Sequence, residues 1–201
     1  MYEQQAALAH LLPALVRAYD ELTPRHTFEA IIVDDGSTDR TFDIAWPWSE
    51  RVGFAVKVIR LNPHEGVGGA IRQGMTFCLG TAVCTWDPEG ARPFSDLAPM
   101  AELIEAGADV VTTPQPDTSR GERFISTDVT GVSGLHRAYR REIYERIVNT
   151  RDDDVAHAEL LANALAAGLR VEEARELEPL ASREEARPTW FTALRLRGGN
   201  R

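Results

Sequence analysis

The chain is poor in cysteine, has no long apolar run and carries no excess of positive charge. Each lack removes a class of protein. Its two cysteines, Cys78 and Cys84, stand in apolar surroundings without metal-ligand spacing. They read as buried reduced thiols, which excludes a disulfide scaffold and fits a cytoplasmic location. No segment approaches the roughly 20 apolar residues that cross a bilayer. Met1 is not followed by the basic stretch and apolar core of a signal peptide. A net charge of −9 argues against nucleic-acid binding. A polyanionic ligand would therefore need a locally built site of metal, arginines or backbone amides. There is no internal repeat, and peripheral membrane contact and self-association stay open.

What is present is a regular alternation of apolar patterns. Residues 5–20 carry apolar side chains at helical spacing, with Pro13 a candidate kink. Residues 28–35 form a short β-branched strand ending in two aspartates, and Ser37-Thr38-Asp39 offers N-cap chemistry for a helix through about Ala45. A strand at 55–61 leads through a Gly-rich turn into a helix ending near Cys78. A strand at 81–87 again ends in an acid, and a helix from Ser95 to Ala106 precedes a strand at 108–113. Residues 114–127 read as a mobile loop, followed by a strand at 128–138, helices at about 140–147 and 154–167, and a strand at 169–176. This alternation predicts an α/β fold with a mostly parallel sheet covered on both faces. Acids at the C-terminal ends of two strands mark the edge where such sheets bind ligands.

Four groups of residues could carry chemistry. In Asp34-Asp35-Gly36-Ser37 a strand-end carboxylate could accept the imide or amino hydrogens of a nucleobase, Gly36 permits a sharp turn, and the next helix offers free N–H groups. The plainer reading is that the aspartates cap a helix. Asp87 and Glu89, two hard carboxylates at i and i+2 after a strand, could hold Mg²⁺ or Mn²⁺ against a diphosphate, or form an ordinary surface turn. Arg72 could approach a phosphate, pair with Asp87, or make an exposed salt bridge, whereas Gly68, Gly69 and Gly74 read as packing positions. His136, Arg137, Arg140 and Arg141 form the densest basic cluster, a candidate for anion contact or the start of a solvated helix face. Asp152, Asp153, Asp154 and Glu159 could supply a general base, but acids before a helix also complement its dipole, so no base is assigned. His64 and Glu65 read as loop residues, and His10, His26 and His157 as structural or solvated ones.

In sequence, VDDGSTD after an apolar strand resembles the signature of family 2 glycosyltransferases. Residues 62–74 are similar to that family's RN-x-G-x-G-x-A-x-x-x-G segment, and Trp86-Asp87-Pro88-Glu89 falls where its DXD motif belongs. Residues 106–111 match the strand that follows the motif. Residues 133–142 are similar to the SGFRAYRRE stretch of polyprenyl-phosphate sugar synthases, with one extra residue, and 166–173 to their closing AGYRIVEVP strand. Collinear matches over roughly residues 2–180 are far more specific than any one motif.

The resemblance implies a three-layer GT-A domain over residues 1–180 with a charged tail at 181–201. It implies a nucleoside-diphosphate sugar donor contacted by Asp34, Asp35, Gly36, Ser37, Arg72, Asp87, His136 and Arg137, and a metal held by Asp87 and Glu89. The acceptor would be polyprenyl phosphate or a small molecule, with inversion at the anomeric carbon. A catalytically degenerate binding domain is the alternative. A sugar-1-phosphate nucleotidyltransferase would open on a Gly-rich loop with Arg and Lys, which is absent here. The chain departs from the pattern in its second metal acid, Glu89 for Asp, and in the short stretch between Val111 and Ser133. Tyr2-Glu3-Gln4-Gln5-Ala6-Ala7-Leu8 corresponds to YNEEENL, so the family's central first strand is absent from this sequence: the start lies upstream, neighbouring strands close the gap, or another segment or chain fills it.

Overall fold

The computed structural model describes residues 1–22, 26–50, 55–86, 92–114, 135–147, 149–153, 155–177 and the backbone of 192–196. Helix α1 (Gln5–Leu22) buries Leu8, Leu11, Leu12, Leu15, Ala18 and Leu22 along one stripe, as its periodicity requires. Pro13 lies inside the helix on its exposed side. Strand β1 (Glu29–Asp34) is buried along its whole length. Helix α2 (Thr41–Ala45) and a 3₁₀ turn at Trp46–Glu50 lead to β2 (Ala55–Arg60). Then come α3 (Gly66–Phe77), β3 (Ala82–Thr85), α4 (Leu97–Glu105) and β4 (Val110–Thr112). The rest comprises β5 (Arg137–Arg140), α5 (Ala156–Ala166), β6 (Val171–Glu173) and β7 (Thr192–Leu196).

The strands form one seven-stranded sheet in the order β2-β1-β7-β3-β5-β4-β6. The β1–β2 and β4–β6 ladders are parallel, whereas β5 and β7 run against their neighbours. All strands but those two therefore point the same way. Alternation along each central strand serves two cores. Ala30, Ile32, Ala82, Cys84, Val111 and Ala138 face α1 and α4, while Ile31, Val33, Val83, Val110 and Tyr139 face α3 and α5. The result is three layers, helix on sheet on helix.

The helix expected at about 140–147 is a 3₁₀ helix at Arg141–Arg146. Of the strand expected at 128–138, only the end beginning at Arg137 is described, and the loop at 115–127 lies outside the described residues. One expectation changes. The position between β1 and β3 is held by β7, from the stretch read as an irregular charged tail. Ala30–Ile32 pair with Thr192–Leu194 on one side, and Ala82–Val83 with Arg195–Leu196 on the other. The physical reason is hydrogen-bond satisfaction. β1 and β3 are buried on both faces, so an empty slot would leave their N–H and C=O groups unpaired in the core. A five-residue strand is too short for its period to stand out in the sequence.

Candidate functional site: a carboxylate pocket at the strand rim

The apolar run of β1 ends in two buried acids that do different things. Asp34 is fully enclosed; its carboxylate meets Arg60 Nε of β2 at 3.3 Å and accepts the Ser37 N–H at 3.3 Å. Arg60 also donates to the Ser37 carbonyl at 2.8 Å and lies over the Phe42 ring. Asp34 therefore ties the turn to β2. Gly36, at φ 75°, makes that turn where a side chain would press on the backbone of His64 and Leu61.

Asp35 faces the other way. Its Oδ1 accepts the Glu65 N–H at 2.8 Å, and its Oδ2 lies 2.8 Å from His64 Nδ1. It lines a cavity of about 160 Å³ together with Tyr2, His64, Val67 and Asp152. The Tyr2 and His64 rings pack on each other beside it, with centroids 4.6 Å apart. Burial raises the Asp35 pKa above the usual carboxylate value, opposed by the Glu65 N–H, His64 and the Met1 amine. A carboxylate held in a cleft with both stabilising and penalising neighbours is a candidate functional position.

Asp39 Oδ1 accepts the Thr41 N–H at the start of α2 at 2.9 Å, while Arg40, next to that start, makes no side-chain cap. Ser37, Thr41 and Asp39 also serve a second helix. They receive the amides at the start of α1: Glu3 N–H to Ser37 Oγ at 3.0 Å, Gln4 N–H to Thr41 Oγ1 at 2.7 Å and Gln5 N–H to Asp39 Oδ2 at 3.2 Å. The turn thus caps a helix some 35 residues earlier and pins Tyr2 over Asp35.

Of the open readings of Arg72, the structure takes the salt bridge. Its guanidinium pairs with Asp152 and donates to the Arg151 carbonyl at 3.3 Å. The loop 149–153 lies directly on the start of α3, with Gly68 N–H donating to Asp152 O at 3.3 Å. A Cβ at Gly66 or Gly68 would fall 2.2 Å from Asp152 O or 1.8 Å from Arg151 O. The glycines are therefore docking positions for this loop, which forms one wall of the pocket. Asp153 pairs with Arg151 and accepts the Val155 N–H near the start of α5, while Glu159 accepts the Thr150 and Arg151 amides. Asp154 lies outside the described residues.

The basic cluster disperses. His136 is buried edge-on against Trp86 at 4.7 Å, and burial, with Arg92 nearby, lowers its pKa to about 3, so it is neutral. Arg137 is fully buried and donates to the His157 carbonyl. Arg140 serves the end of α4 through the Ile104 and Ala108 carbonyls and Asp109, and Arg141 serves the end of α3 through Cys78 O. Cations at helix C-termini are favourable structural partners. Asp87 and Glu89 lie outside the described residues, and among the described residues no group of three or more His, Cys, Asp or Glu is placed to hold a metal ion. Two pocket residues escape local sequence reasoning. His64 looks like a loop residue until the fold brings it to Asp35; Tyr2 was visible only as the start of the YNEE-like segment.

The fold has clear counterparts. Glucosyl-3-phosphoglycerate synthase from Mycobacterium tuberculosis, in complex with phosphoglyceric acid, superposes with a TM-score of 0.66 at 14% identity, covering 88% of this chain and 69% of that one. S. aureus TarS 1-349, in complex with UDP-GlcNAc, gives 0.65 at 18% identity, covering 94% and 58%. At these identities the likeness shows the fold, the GT-A fold. In sequence, the undecaprenyl-phosphate 4-deoxy-4-formamido-L-arabinose transferase of Pseudomonas aeruginosa is 31% identical over 181 residues, covering 83% of this chain and 52% of the relative. The transferase of that name from Edwardsiella ictaluri is 27% identical over 180 residues, covering 83% and 54%. The chain spans about half the length of the curated relatives it matches. The family model for glycosyl transferase family 2 matches residues 1–157, and the chain belongs to that family.

Proposed function

We propose that the chain is the donor-binding domain of a glycosyltransferase, moving a sugar from a nucleoside-diphosphate sugar to an acceptor. The observation that carries this reading is the buried Asp35 carboxylate following β1, lining a cavity together with Tyr2 and His64, whose rings pack on each other. An ionised carboxylate there accepts the imide or amide hydrogen of a base, and the two rings supply faces for it. His64 and the Glu65 N–H hold the carboxylate in place before the ligand arrives, which lowers the ordering cost of binding.

The donor class is supported by the neighbours: the mycobacterial synthase has been crystallised with Mn²⁺ and UDP-glucose, and TarS with UDP-GlcNAc. Asp87 and Glu89 are proposed to hold Mg²⁺ or Mn²⁺, which when bound would neutralise charge on the departing diphosphate. Trp86, the residue before Asp87 in sequence, is buried and its ring stacks on Phe94 at 5.4 Å. The loop 115–127 is proposed to close over the donor. The relatives' names favour a polyprenyl-phosphate acceptor, which would need no general base. Among the described residues no helix is long and apolar enough to cross a membrane. The buried thiols of Cys78 and Cys84, whose pKa values burial pushes up to about 12, agree with a reducing cytoplasmic setting.

A second reading, a degenerate family member that binds a partner, is favoured by the Arg72–Asp152 pair, which occupies a cation the donor phosphates could use. Calorimetric titration with UDP and GDP, with and without Mn²⁺, separates the two. Binding that strengthens with Mn²⁺, is lost in Asp35→Ala and loses its metal dependence in Asp87→Ala supports the enzyme. Absence of binding by either nucleotide would establish the second reading over the first.

A further inference from the structure

The guanidiniums of Arg72 and Arg151 both stand beside the wall of the Asp35 pocket, and they are held differently. Their partners, Asp152 and Asp153, line the cavity together with Asp35. Asp153 grips Arg151 at both oxygens, with Nε donating to Oδ1 at 2.8 Å and Nη2 to Oδ2. That is the parallel two-bond fork in which arginine and carboxylate match best. Arg72 has no such fork. One of its nitrogens meets a single oxygen of Asp152, and the other donates to the Arg151 carbonyl at 3.3 Å, a long contact for a charged donor.

Arg72 is also the better placed of the two to change partner. It leaves α3, whose long side chains lean back toward the helix start, and its Nη2 lies 3.5 Å from where a side chain on Gly69 would begin. The helix thus carries the guanidinium alongside the pocket, with 33% of the side chain exposed against 61% for Asp152. An exposed pair of this kind adds little net stability. Released from Arg72, Asp152 is simply hydrated, without the penalty of a buried charge left alone. A diphosphate near three carboxylates needs a positive partner, and a phosphate oxygen bonds a guanidinium as a carboxylate oxygen does. At about 160 Å³ the cavity is smaller than the roughly 300 Å³ at which small-molecule sites begin. It therefore takes one end of a nucleotide, and the rest runs along its walls.

We propose that Asp152 is an internal competitor for Arg72: a diphosphate oxygen of the donor replaces the Asp152 carboxylate on the guanidinium, and the strength of the pair sets how tightly the donor is held. The loop itself stays docked on α3 through the Gly68 N–H and Asn149, and only the guanidinium changes partner. The inference rests on the nucleotide-sugar reading of the Asp35 pocket. It makes the Arg72–Asp152 pair a control on donor affinity rather than a sign of lost function.

The test is calorimetric titration of the full chain, with Mn²⁺, against UDP or GDP, whichever wild type binds more tightly, and against the matching nucleoside. Asp152→Asn should tighten diphosphate binding about fivefold, or about 1 kcal/mol at about 1.4 kcal/mol per tenfold. Arg72→Ala should weaken it about tenfold, the worth of a charged hydrogen bond. Adding Asp152→Asn to Arg72→Ala should then change nothing, because the acid acts only through the arginine. The nucleoside, which carries no phosphate, should bind all four proteins alike, and both single variants should melt close to wild type. The proposal is overturned if the two single variants shift affinity in the same direction, as a purely structural pair would. It is also overturned if their effects add, as charges acting through space would, or if the nucleoside responds as the diphosphate does. Any of these results alongside diphosphate binding sinks the role of Asp152 and leaves the donor site standing. Binding of neither nucleotide by any of the four proteins removes the donor site itself, and this inference with it.

Discussion

His64 Nδ1 lies 2.8 Å from Asp35 Oδ2 and 2.9 Å from the Asp35 carbonyl oxygen, so one imidazole holds both the side chain and the backbone of the residue that follows β1. Its ring also lines the pocket and packs on Tyr2. Pocket shape and carboxylate orientation are therefore set by the same contact.

Asp35→Asn should separate binding from stability. Burial raises the Asp35 pKa, so the folded state binds its proton more tightly than the unfolded chain does. Stability then falls as pH rises from the ordinary value of 3.8 through the raised one, and the ionised group is a net cost at neutral pH. The variant should lose about tenfold or more in UDP affinity, the worth of a charged hydrogen bond. It should be at least as stable as wild type at pH 7.5, with an advantage that shrinks by pH 4. Urea melts at the two pH values check this; a variant less stable at pH 7.5 contradicts it.

Acid should unfold the protein through its buried histidines. Burial and Arg92 lower the His136 pKa to about 3, and burial with Arg137 and His136 puts His157 well below its ordinary 6.5. Both are neutral in the folded state, so their contribution is complete above pH 6.5 and is lost progressively below it, as the unfolded chain takes up protons first. At pH 5 the loss from His136 alone is about 2 kcal/mol, at 1.36 kcal/mol per pH unit. His157→Leu should flatten part of the stability–pH curve between pH 7 and 5. An unchanged slope would show that His157 is not the titrating group.

Gly68→Ala should be severe and Gly168→Ala mild. The first puts a Cβ 1.8 Å from the Arg151 carbonyl, and moving it displaces the loop that walls the Asp35 pocket. A loss of about 3 kcal/mol or more is expected, with UDP affinity falling as well. Gly168, at φ 68°, has nothing within 4 Å of its would-be Cβ, so only backbone strain of about 1 kcal/mol applies. Thermal melts of the two variants, side by side, decide between steric docking and a general glycine requirement.

Ala193→Pro tests whether the C-terminal stretch belongs to the sheet. Ala193 is paired with Ile31 in β7, and proline there removes a ladder donor inside a central strand. Destabilisation of about 3 kcal/mol or more is expected in denaturant titration. A variant that melts like wild type would place 192–196 outside the core.

Much of this was legible in the sequence, and the boundary is physical. Buried strands such as β1 and β3 announce themselves as apolar runs, α1 and α3 as periodic stripes, and Asp35 by its position at a strand end. These are local patterns. The partners were not legible because they are distant in sequence: His64 for Asp35, Asp152 for Arg72, Thr192–Leu194 for Ala30–Ile32. Capping was only half legible for the same reason. Asp39 serves the start of α2 through the Thr41 N–H, as its position suggests, but it also takes the Gln5 N–H of the distant α1, and Ser37 takes that of Glu3. His136 and Arg137 were read as candidates for anion contact because charge is visible in a sequence and burial is not.

β7 has one further consequence. Among the described residues, β2 and β1 are laced to the rest of the sheet only through it. Asp35 rides on the first part, and Trp86, from which Asp87 continues, on the second. The offset between Asp35 and Trp86 along the strands is thus tied to where five residues pair with their neighbours. A slip of one position would shift one against the other by about 3.4 Å, more than the length of a hydrogen bond.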